Sequence, residues 1–389
     1  MPAIRYYLSQ GVRVHERAED FYIATVRDEF KVNRTIATFI GLLNEPKTAQ
    51  ELTIGLQQLI RDASEAVVKP LVDQFLQDLH RLQVVRQEGE PDIVPITPAY
   101  QAGARLGPYR ITDLLSQHNH LVQLYRATEG ESGPMVVLKI FAQAPEHIGA
   151  NPRLASALRQ FEQEFDIMRA LSPHPCLGVL RAYHTQPHPY AVLEYLPGGS
   201  LSECLRNGSL PADGKAHVAT QILSALAHLH ANGVVHGDIH ASNFMVSGDR
   251  VAMIDFGFSY RVGVSAAEQN IDGGGVPTYL APERIREHSY EFSQRPADFR
   301  AEVYQIALVL FKLYHGQLPF VGNTWRERAA SIAAYDFGQH LSPAVPHERV
   351  LLHALQKDPL ARYADARELL AAWQQALLVE NQAEYAPAS

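Results

Sequence analysis

The chain opens with short β-branched and aromatic runs. Arg13–His15, Phe21–Thr25 and Glu29–Val32 are separated by the polar stretches 17–20 and 27–28, a spacing that predicts a three-stranded meander. The hydrophobic period then changes. Ile36, Phe39, Ile40 and Leu43 recur at helical spacing behind Asn33, a residue suited to capping. Thr48-Ala-Gln-Glu51 has the form of a capping box, in front of Leu52, Leu56 and Leu59. A third apolar stripe, Val68, Leu71, Val72, Phe75, Leu79 and Leu82, predicts a helix from about Ser64. Residues 1–87 are therefore expected to form a three-strand, three-helix domain. Residues 88–108 hold four prolines and three glycines without an apolar period, and read as a linker.

Beyond residue 108 the order changes to strands, one helix, more strands, and then mainly helices. Strands are expected at Tyr109–Thr112, Val122–Ala127 and Met135–Phe141, and again at Val179–His184 and Tyr190–Glu194. Asn151-Pro152 starts a helix, with Pro in the first turn where its missing N–H costs nothing. That helix runs through Phe161, Phe165, Met168 and Leu171. Two later stripes are Ile222, Leu226 and Leu229, stopped near Gly233, and Ile306, Val309, Leu310 and Leu313. The fold class is α+β: a strand-rich half over 109–194, a helical half over 195–376, and a tail at 377–389. No internal repeat is visible.

Composition narrows this only a little. The formal charge is 34 − 42 = −8, so the broad basic footprint of a nucleic-acid binder is missing. Cys176 and Cys204 have no paired spacing, which argues against a disulfide framework or a cysteine zinc site. The first residues lack the apolar core of a signal peptide, and no run reaches the ~18 apolar residues that span a bilayer. A cytoplasmic protein without membrane or nucleic-acid partners is expected.

The chemistry-bearing residues fall in one order. Val136-Val-Leu-Lys139 ends a strand segment, and Glu164 lies on the following helix within Phe161-Glu-Gln-Glu164-Phe165. His236-Gly-Asp238-Ile-His240-Ala-Ser-Asn243 places an amide five residues after a carboxylate. Asp255-Phe-Gly257, Ala281-Pro-Glu283 and Asp358-Pro-Leu-Ala-Arg362 follow. Taken singly, Lys139 reads as a surface lysine and Glu164 as a solvated helix charge. His236 and His240, four apart, would fit a helical zinc motif only with a glutamate where Gly237 stands. As an ordered set, residues 109–376 resemble a eukaryotic-type protein kinase domain.

The resemblance implies a bilobal fold, ATP and Mg²⁺ as cofactors, and a role for each matching residue. Lys139, paired with Glu164, would meet the α- and β-phosphates. Asp238 would orient the acceptor hydroxyl, with His240 beside the γ-phosphate, and Asn243 and Asp255 would hold the metal. Glu194 and Leu196 would sit against the nucleotide. Glu283 and Arg362 would form a structural pair.

Several positions depart from the family pattern. The glycines of its phosphate loop fall here at Gln117, Asn119 and Val122, whose side chains keep the backbone from close approach to phosphate. Gly237 replaces the arginine with which regulated kinases hold a phosphorylated activation loop. His240 replaces a lysine, Val276 a threonine that contacts the aspartate and that lysine, and Glu302 an aspartate early in the central helix. The His-Gly-Asp-x-His-x-x-Asn form resembles atypical and antibiotic-type kinases and the kinase domains of lanthipeptide synthetases.

Residues 4–87 resemble the winged-helix-like recognition element of ribosomal-peptide biosynthesis named for the pyrroloquinoline quinone peptide chaperone. The likeness rests on Asp28-Glu-Phe30-Lys-Val-Asn33 and Lys47-Thr48-Ala-Gln-Glu51-Leu52. It implies a leader peptide added as a strand beside Glu29, Phe30, Lys31 and Val32, in a groove shared with Val72, Phe75 and Leu79. The combined expectation is a kinase acting on Ser or Thr of a leader-bearing precursor peptide, with other peptide-modifying enzymes as further partners. A plain winged-helix DNA-binding module, a pseudokinase scaffold, a small-molecule kinase and a nucleotidyltransferase are the alternatives.

Overall fold

The computed structural model describes residues 4–9, 12–17, 20–24, 29–32, 34–59, 64–81, 84–88, 99–117, 121–143, 148, 152–171, 173–210, 214–265, 269, 276–285, 296–322 and 325–384. The chain divides into two compact units, one of residues 1–100 and 116–123, the other of 101–115 and 124–389.

The first unit contains β1 (Arg5–Leu8), β2 (Arg13–Arg17), β3 (Asp20–Ala24), β4 (Glu29–Val32), β5 (Lys47–Thr48) and β6 (Val85–Gln87), with helices α1 (Arg34–Gly41), α2 (Ala49–Leu59) and α3 (Glu65–Arg81). The expected meander is present as the antiparallel sheet β2-β3-β4, in which Ile23 faces Phe30 and Ala24 faces Glu29. A second antiparallel sheet, β5-β1-β6, brings Arg5 opposite Thr48 and Tyr6 opposite Gln87. The capping box closes as its sequence predicts. Thr48 Oγ1 accepts the Glu51 amide at 3.2 Å, and Glu51 Oε2 accepts the Thr48 amide at 2.7 Å. Asn33, expected to cap α1, lies outside the described residues.

Ile23, Phe39, Ile40, Leu43, Leu52, Leu56, Val68, Val72 and Leu79 form the core of this unit. That corrects one expectation. Val72 is 0% and Leu79 4% exposed, and Phe75 packs edge-on against Phe39 at 5.3 Å, so these three residues of α3 belong to the core and not to a groove. The apolar side chains that α3 leaves in solvent are Val67 and Leu71, one turn apart.

The second unit starts inside the stretch expected to be a linker, because β7 (Arg105–Leu106) pairs with β8 (Tyr109–Gln117). β9 (Val122–Glu129), β10 (Met135–Phe141), β11 (Leu180–His184) and β12 (Tyr190–Glu194) complete a six-stranded sheet in the order β11-β12-β10-β9-β8-β7. Helix α4 (Pro152–Ala170) begins at Pro152, as predicted. Its Phe161 and Phe165 are seated by Phe141 at 5.5 Å and Tyr183 at 5.5 Å respectively. These aromatic contacts fix the helix against the strands and therefore fix the residues between them.

The helical half follows with β13 (Gly199–Ser200), α5 (Leu201–Asn207), α6 (Lys215–Ala231), β14 (Val234–Val235), β15 (Phe244–Ser247), β16 (Arg250–Met253) and β17 (Tyr260–Arg261). Helices α7 (Phe299–His315), α8 (Trp325–Ala334), α9 (Pro346–Ala354) and α10 (Ala366–Glu384) complete it. Asp298 caps α7 through its bond from the Ala301 amide at 2.8 Å. Every residue of α7 from Ala301 to Phe311 is buried, which makes it the axis of this half. Among the described residues no helix is long and apolar enough to cross a membrane.

Candidate active site

Strand β10 carries Lys139 into the sheet, opposite Ala191 of β12, and leaves its side chain 9% exposed. A buried ammonium needs compensating charge. Glu164, held between Phe161 and Phe165, meets Lys139 Nζ at 2.7 and 2.9 Å, and Asp255 Oδ1 meets it at 3.0 Å. Burial alone would lower the lysine pKa, but the two carboxylates outweigh it and hold the ammonium above its usual value. The Phe256 amide also bonds Glu164.

Asp255 has φ +63°, the left-handed region that a non-glycine residue occupies at a cost. Gly257 adjoins the pair: a Cβ there would meet Asp255 Oδ1 at 3.4 Å and Glu164 Oε2 at 3.6 Å, ordinary van der Waals contact. About a third of the Asp255 side chain, 34%, stays exposed.

The loop from His236 to Asn243 hangs on α7. Glu302, fully buried, accepts the Gly237 amide at 2.7 Å, the His236 amide at 3.2 Å and His230 Nε2 at 2.9 Å. The longer side chain thus reaches both loop amides. Gly237 has φ +85°, and a Cβ there would fall 2.4 Å from the Phe258 carbonyl oxygen. Asn243 Nδ2 donates to the Asp238 carbonyl at 2.9 Å, which ties the ends of the loop together.

His230, His236 and His240 share one pattern. Nδ1 of each accepts a backbone amide, from Ala366 at 3.0 Å, Asp238 at 3.3 Å and Ser242 at 3.2 Å. These bonds assign the ring proton to Nε2. His236 Nε2 then donates to the Ile254 carbonyl at 3.3 Å, and His240 Nε2 lies 3.3 Å from Asp238 Oδ2. The other Asp238 oxygen accepts the Val276 amide at 3.2 Å.

Glu194 turns its carboxylate to Arg250, at 2.6 and 3.1 Å, so its side chain makes an ion pair. Arg250 also donates to the Pro175 and Leu177 carbonyls at 2.7 and 2.9 Å. It fastens the end of β12, the segment after α4 and the strand leading to Asp255. Leu196 is buried. Glu283 and Arg362 form the expected bidentate pair, both bonds 2.8 Å. Val122 begins β9 and is half-buried. Asn119 and the side chain of Gln117 lie outside the described residues, as do the side chains of Glu29, Phe30 and Lys31; Val32 is half-buried.

The structure therefore brings Lys139, Glu164 and Asp255 together in one cluster, and Asp238, His240 and Asn243 in another. Sequence reasoning missed Arg250 and the Val276 amide. The only signal for Arg250 is a lone cation ahead of the apolar run Val251–Ile254, and a backbone amide leaves none.

A sheet-borne lysine paired with a helix glutamate, a loop aspartate with its asparagine, and a second aspartate after a hairpin define a two-lobed, protein-kinase-like unit. The family model described as "Protein kinase domain" matches residues 120–371, and the chain belongs to that family, with an additional N-terminal unit. It is 31% identical over 223 residues to the serine/threonine-protein kinase PknL of Mycobacterium tuberculosis, 54% of this chain and 52% of that protein. It is 30% identical over 192 residues to the serine/threonine-protein kinase PknB of Mycobacterium leprae, 48% and 30% of the two chains. The CBL-interacting serine/threonine-protein kinase 16 of Arabidopsis thaliana is 30% identical over 224 residues, 55% and 45%. The chain thus spans about half or less of the length of these relatives.

Proposed function

We propose that this chain transfers the γ-phosphoryl group of ATP to a Ser or Thr hydroxyl of a peptide. The observation that carries the reading is the Lys139–Glu164–Asp255 cluster, closed at 2.7–3.0 Å. A buried ammonium fixed by two carboxylates is placed to meet phosphate oxygens without reorganisation.

Nucleotide binding falls to Lys139 for the phosphates and to the backbone around Glu194 and Leu196 for the base. The Asn243 and Asp255 side chains offer the hard oxygen donors that Mg²⁺ prefers, and the ion, when bound, supplies charge neutralisation on the phosphates. Asp238 takes or orients the acceptor hydroxyl's proton. The hydroxyl oxygen forms a bond to the γ-phosphorus as the bond to the β-phosphate bridging oxygen breaks, and ADP leaves. His240 is the residue beside this transfer.

The acceptor in our reading is a leader-bearing precursor peptide held by residues 1–87, which are joined to the catalytic unit by the stretch ahead of β7. Support comes from the sheet β2-β3-β4, in which β4 is an edge strand able to accept another, and from exposed Val67 and Leu71 on α3. Holding the leader raises the local concentration of the attached acceptor.

Intact-mass spectrometry tests this with Mg·ATP, a precursor peptide encoded beside this chain, and either wild-type protein or Asp255→Ala. A one-phosphate gain with wild type, and a loss of at least ~10³-fold in rate for the variant, is the expected result. A nucleotide-sized gain would change the reaction assigned. Phosphorylation that is as fast on the peptide without its leader would remove the N-terminal unit from substrate selection.

A further inference from the structure

Arg250 is the first residue of β16, ahead of Asp255, and belongs to none of the motifs that carry the candidate chemistry. A guanidinium presents its N–H donors in a fixed planar fork. Here the fork joins β16 to two other segments. Nη1 and Nη2 grip the Glu194 carboxylate at 2.6 and 3.1 Å, Nη2 also donates to the Leu177 carbonyl at 2.9 Å, and Nε donates to the Pro175 carbonyl at 2.7 Å. The Arg250 and Glu194 side chains are 32% and 20% exposed, so the pair is partly withdrawn from water and from screening by salt.

These segments matter because of where they lead. Glu194 ends β12, and the backbone from Glu194 to Leu196 is the part assigned above to the nucleotide base. β16 leads into Asp255, at the phosphate end of the site. The stretch 175–179 lies between them. Cys176 accepts the Met253 amide at 2.8 Å, Gly178 donates to the Met253 carbonyl at 2.9 Å, and Val179 accepts the Glu194 amide at 2.9 Å. Backbone bonds thus hold this stretch to the last residue of β16, and Arg250 holds it to the first while also reaching Glu194. The hairpin that carries the arginine is braced in turn. Gln221 of α6 accepts the Val251 amide at 2.9 Å and donates to the Asp249 carbonyl at 2.6 Å.

We propose that Arg250 is a positioning residue for the nucleotide: acting through Glu194 and the Pro175 and Leu177 carbonyls, it holds the base-binding backbone at a set distance from Asp255. The proposal rests on the kinase reading above. Its physical content is a chelate effect. A ligand that touches two subsites gains from the second according to how well their spacing is preset. Cutting the tie leaves each subsite in place and removes the gain from joining them. The loss should therefore fall on molecules that span the site and spare those that occupy the base end alone.

The test measures Kd calorimetrically in the full chain for two probes, adenosine and the magnesium complex of adenylyl imidodiphosphate. Arg250→Met is expected to weaken the triphosphate analogue roughly 10-fold and adenosine less than about twofold. Glu194→Gln, which keeps both carbonyl bonds, should weaken the analogue about threefold and again spare adenosine. The double variant should bind the analogue no more weakly than Arg250→Met, because both substitutions cut one tie. Ligand-free thermal melts establish that each variant is folded. If Arg250→Met does not fold, Glu194→Gln and Arg250→Lys, which keeps the charge without the fork, carry the same comparison. A merely structural role would lower the melting temperature and leave the ratio of the two Kd values unchanged, and that result, or an equal loss of both ligands, would overturn the proposal. Wild-type protein that binds neither probe would defeat the kinase reading itself. Wild type that binds both, with a ratio fixed across all variants, would defeat only the role of Arg250.

Discussion

The two units of the chain are held together by different kinds of interaction. In the kinase unit Lys139, Glu164, His230, His236, Arg284, Glu302, Arg362 and Asp365 are all buried, and most lie within two bonds of the candidate site. In the N-terminal unit, among described residues up to 88, the buried polar side chains are Ser9 and Thr53, and Thr53 only bonds back to the Ala49 carbonyl. An interior of charges is worth its desolvation only where geometry must be unique. The apolar interior of the smaller unit carries no such charged geometry.

This contrast can be broken at its strongest point. Lys139→Met leaves Glu164 and Asp255 facing each other without a cation. It should abolish phosphoryl transfer and cost roughly 3–5 kcal/mol in denaturant unfolding of the kinase unit. The pH sign follows from the raised lysine pKa: its stabilisation is complete below the unfolded value of about 10.4 and is lost as pH climbs through the higher folded value. The stability gap between wild type and Lys139→Met should stay level from neutral pH to about pH 10 and close above it, and it should also shrink in acid as the two carboxylates protonate. A gap that stays open in strong alkali would reverse the assignment.

Phe39→Ala attacks the other interior. With Phe39 fully buried against Phe75, the loss should be about 3–5 kcal/mol, confined to a transition of the N-terminal unit. Stabilisation of the kinase unit by ATP should persist in the same thermal scan, and its disappearance would show that the two interiors are not independent. Glu302→Gln keeps the shape but leaves one of the three N–H donors facing an amide nitrogen. We expect about 1–3 kcal/mol lost, with kcat falling more than the affinity for ATP. The smallest effect belongs to Thr48→Ala, which removes the cap of α2 for about 1 kcal/mol and leaves kcat untouched. Circular dichroism melts read the first of these quantities and steady-state kinetics the second.

Much of this was legible in the sequence wherever information is local. The helical stripes of α2 and α3, the capping box at Thr48 and the strands Met135–Phe141 and Tyr190–Glu194 follow from period and turn chemistry. The residues that meet at Lys139 were legible only through the resemblance to the kinase family, since each alone reads as a surface charge. The sheet β5-β1-β6 was not legible, because its strands run two to four residues and find partners far away in the sequence. Val72 and Leu79 show a second limit. Periodicity marks mainly the face that α3 buries, so most residues it highlights are withdrawn from a partner, with the exposed Leu71 as the exception. Arg250 reads as an edge cation until its three separate carbonyl and carboxylate partners are in place, and the reach of Glu302 depends on a backbone path that no pattern encodes.

Gly237 has a consequence for anyone who would redesign this molecule as a switch. The residue turns left-handed with a carbonyl oxygen only 2.4 Å from where a first side-chain carbon would sit. Installing the arginine that lets other kinases answer to an upstream signal is therefore not a single-codon edit. Phe258 and its peptide would have to be rebuilt with it, so a signal-responsive version is several coordinated mutations away, and any control this chain obeys must enter by another door.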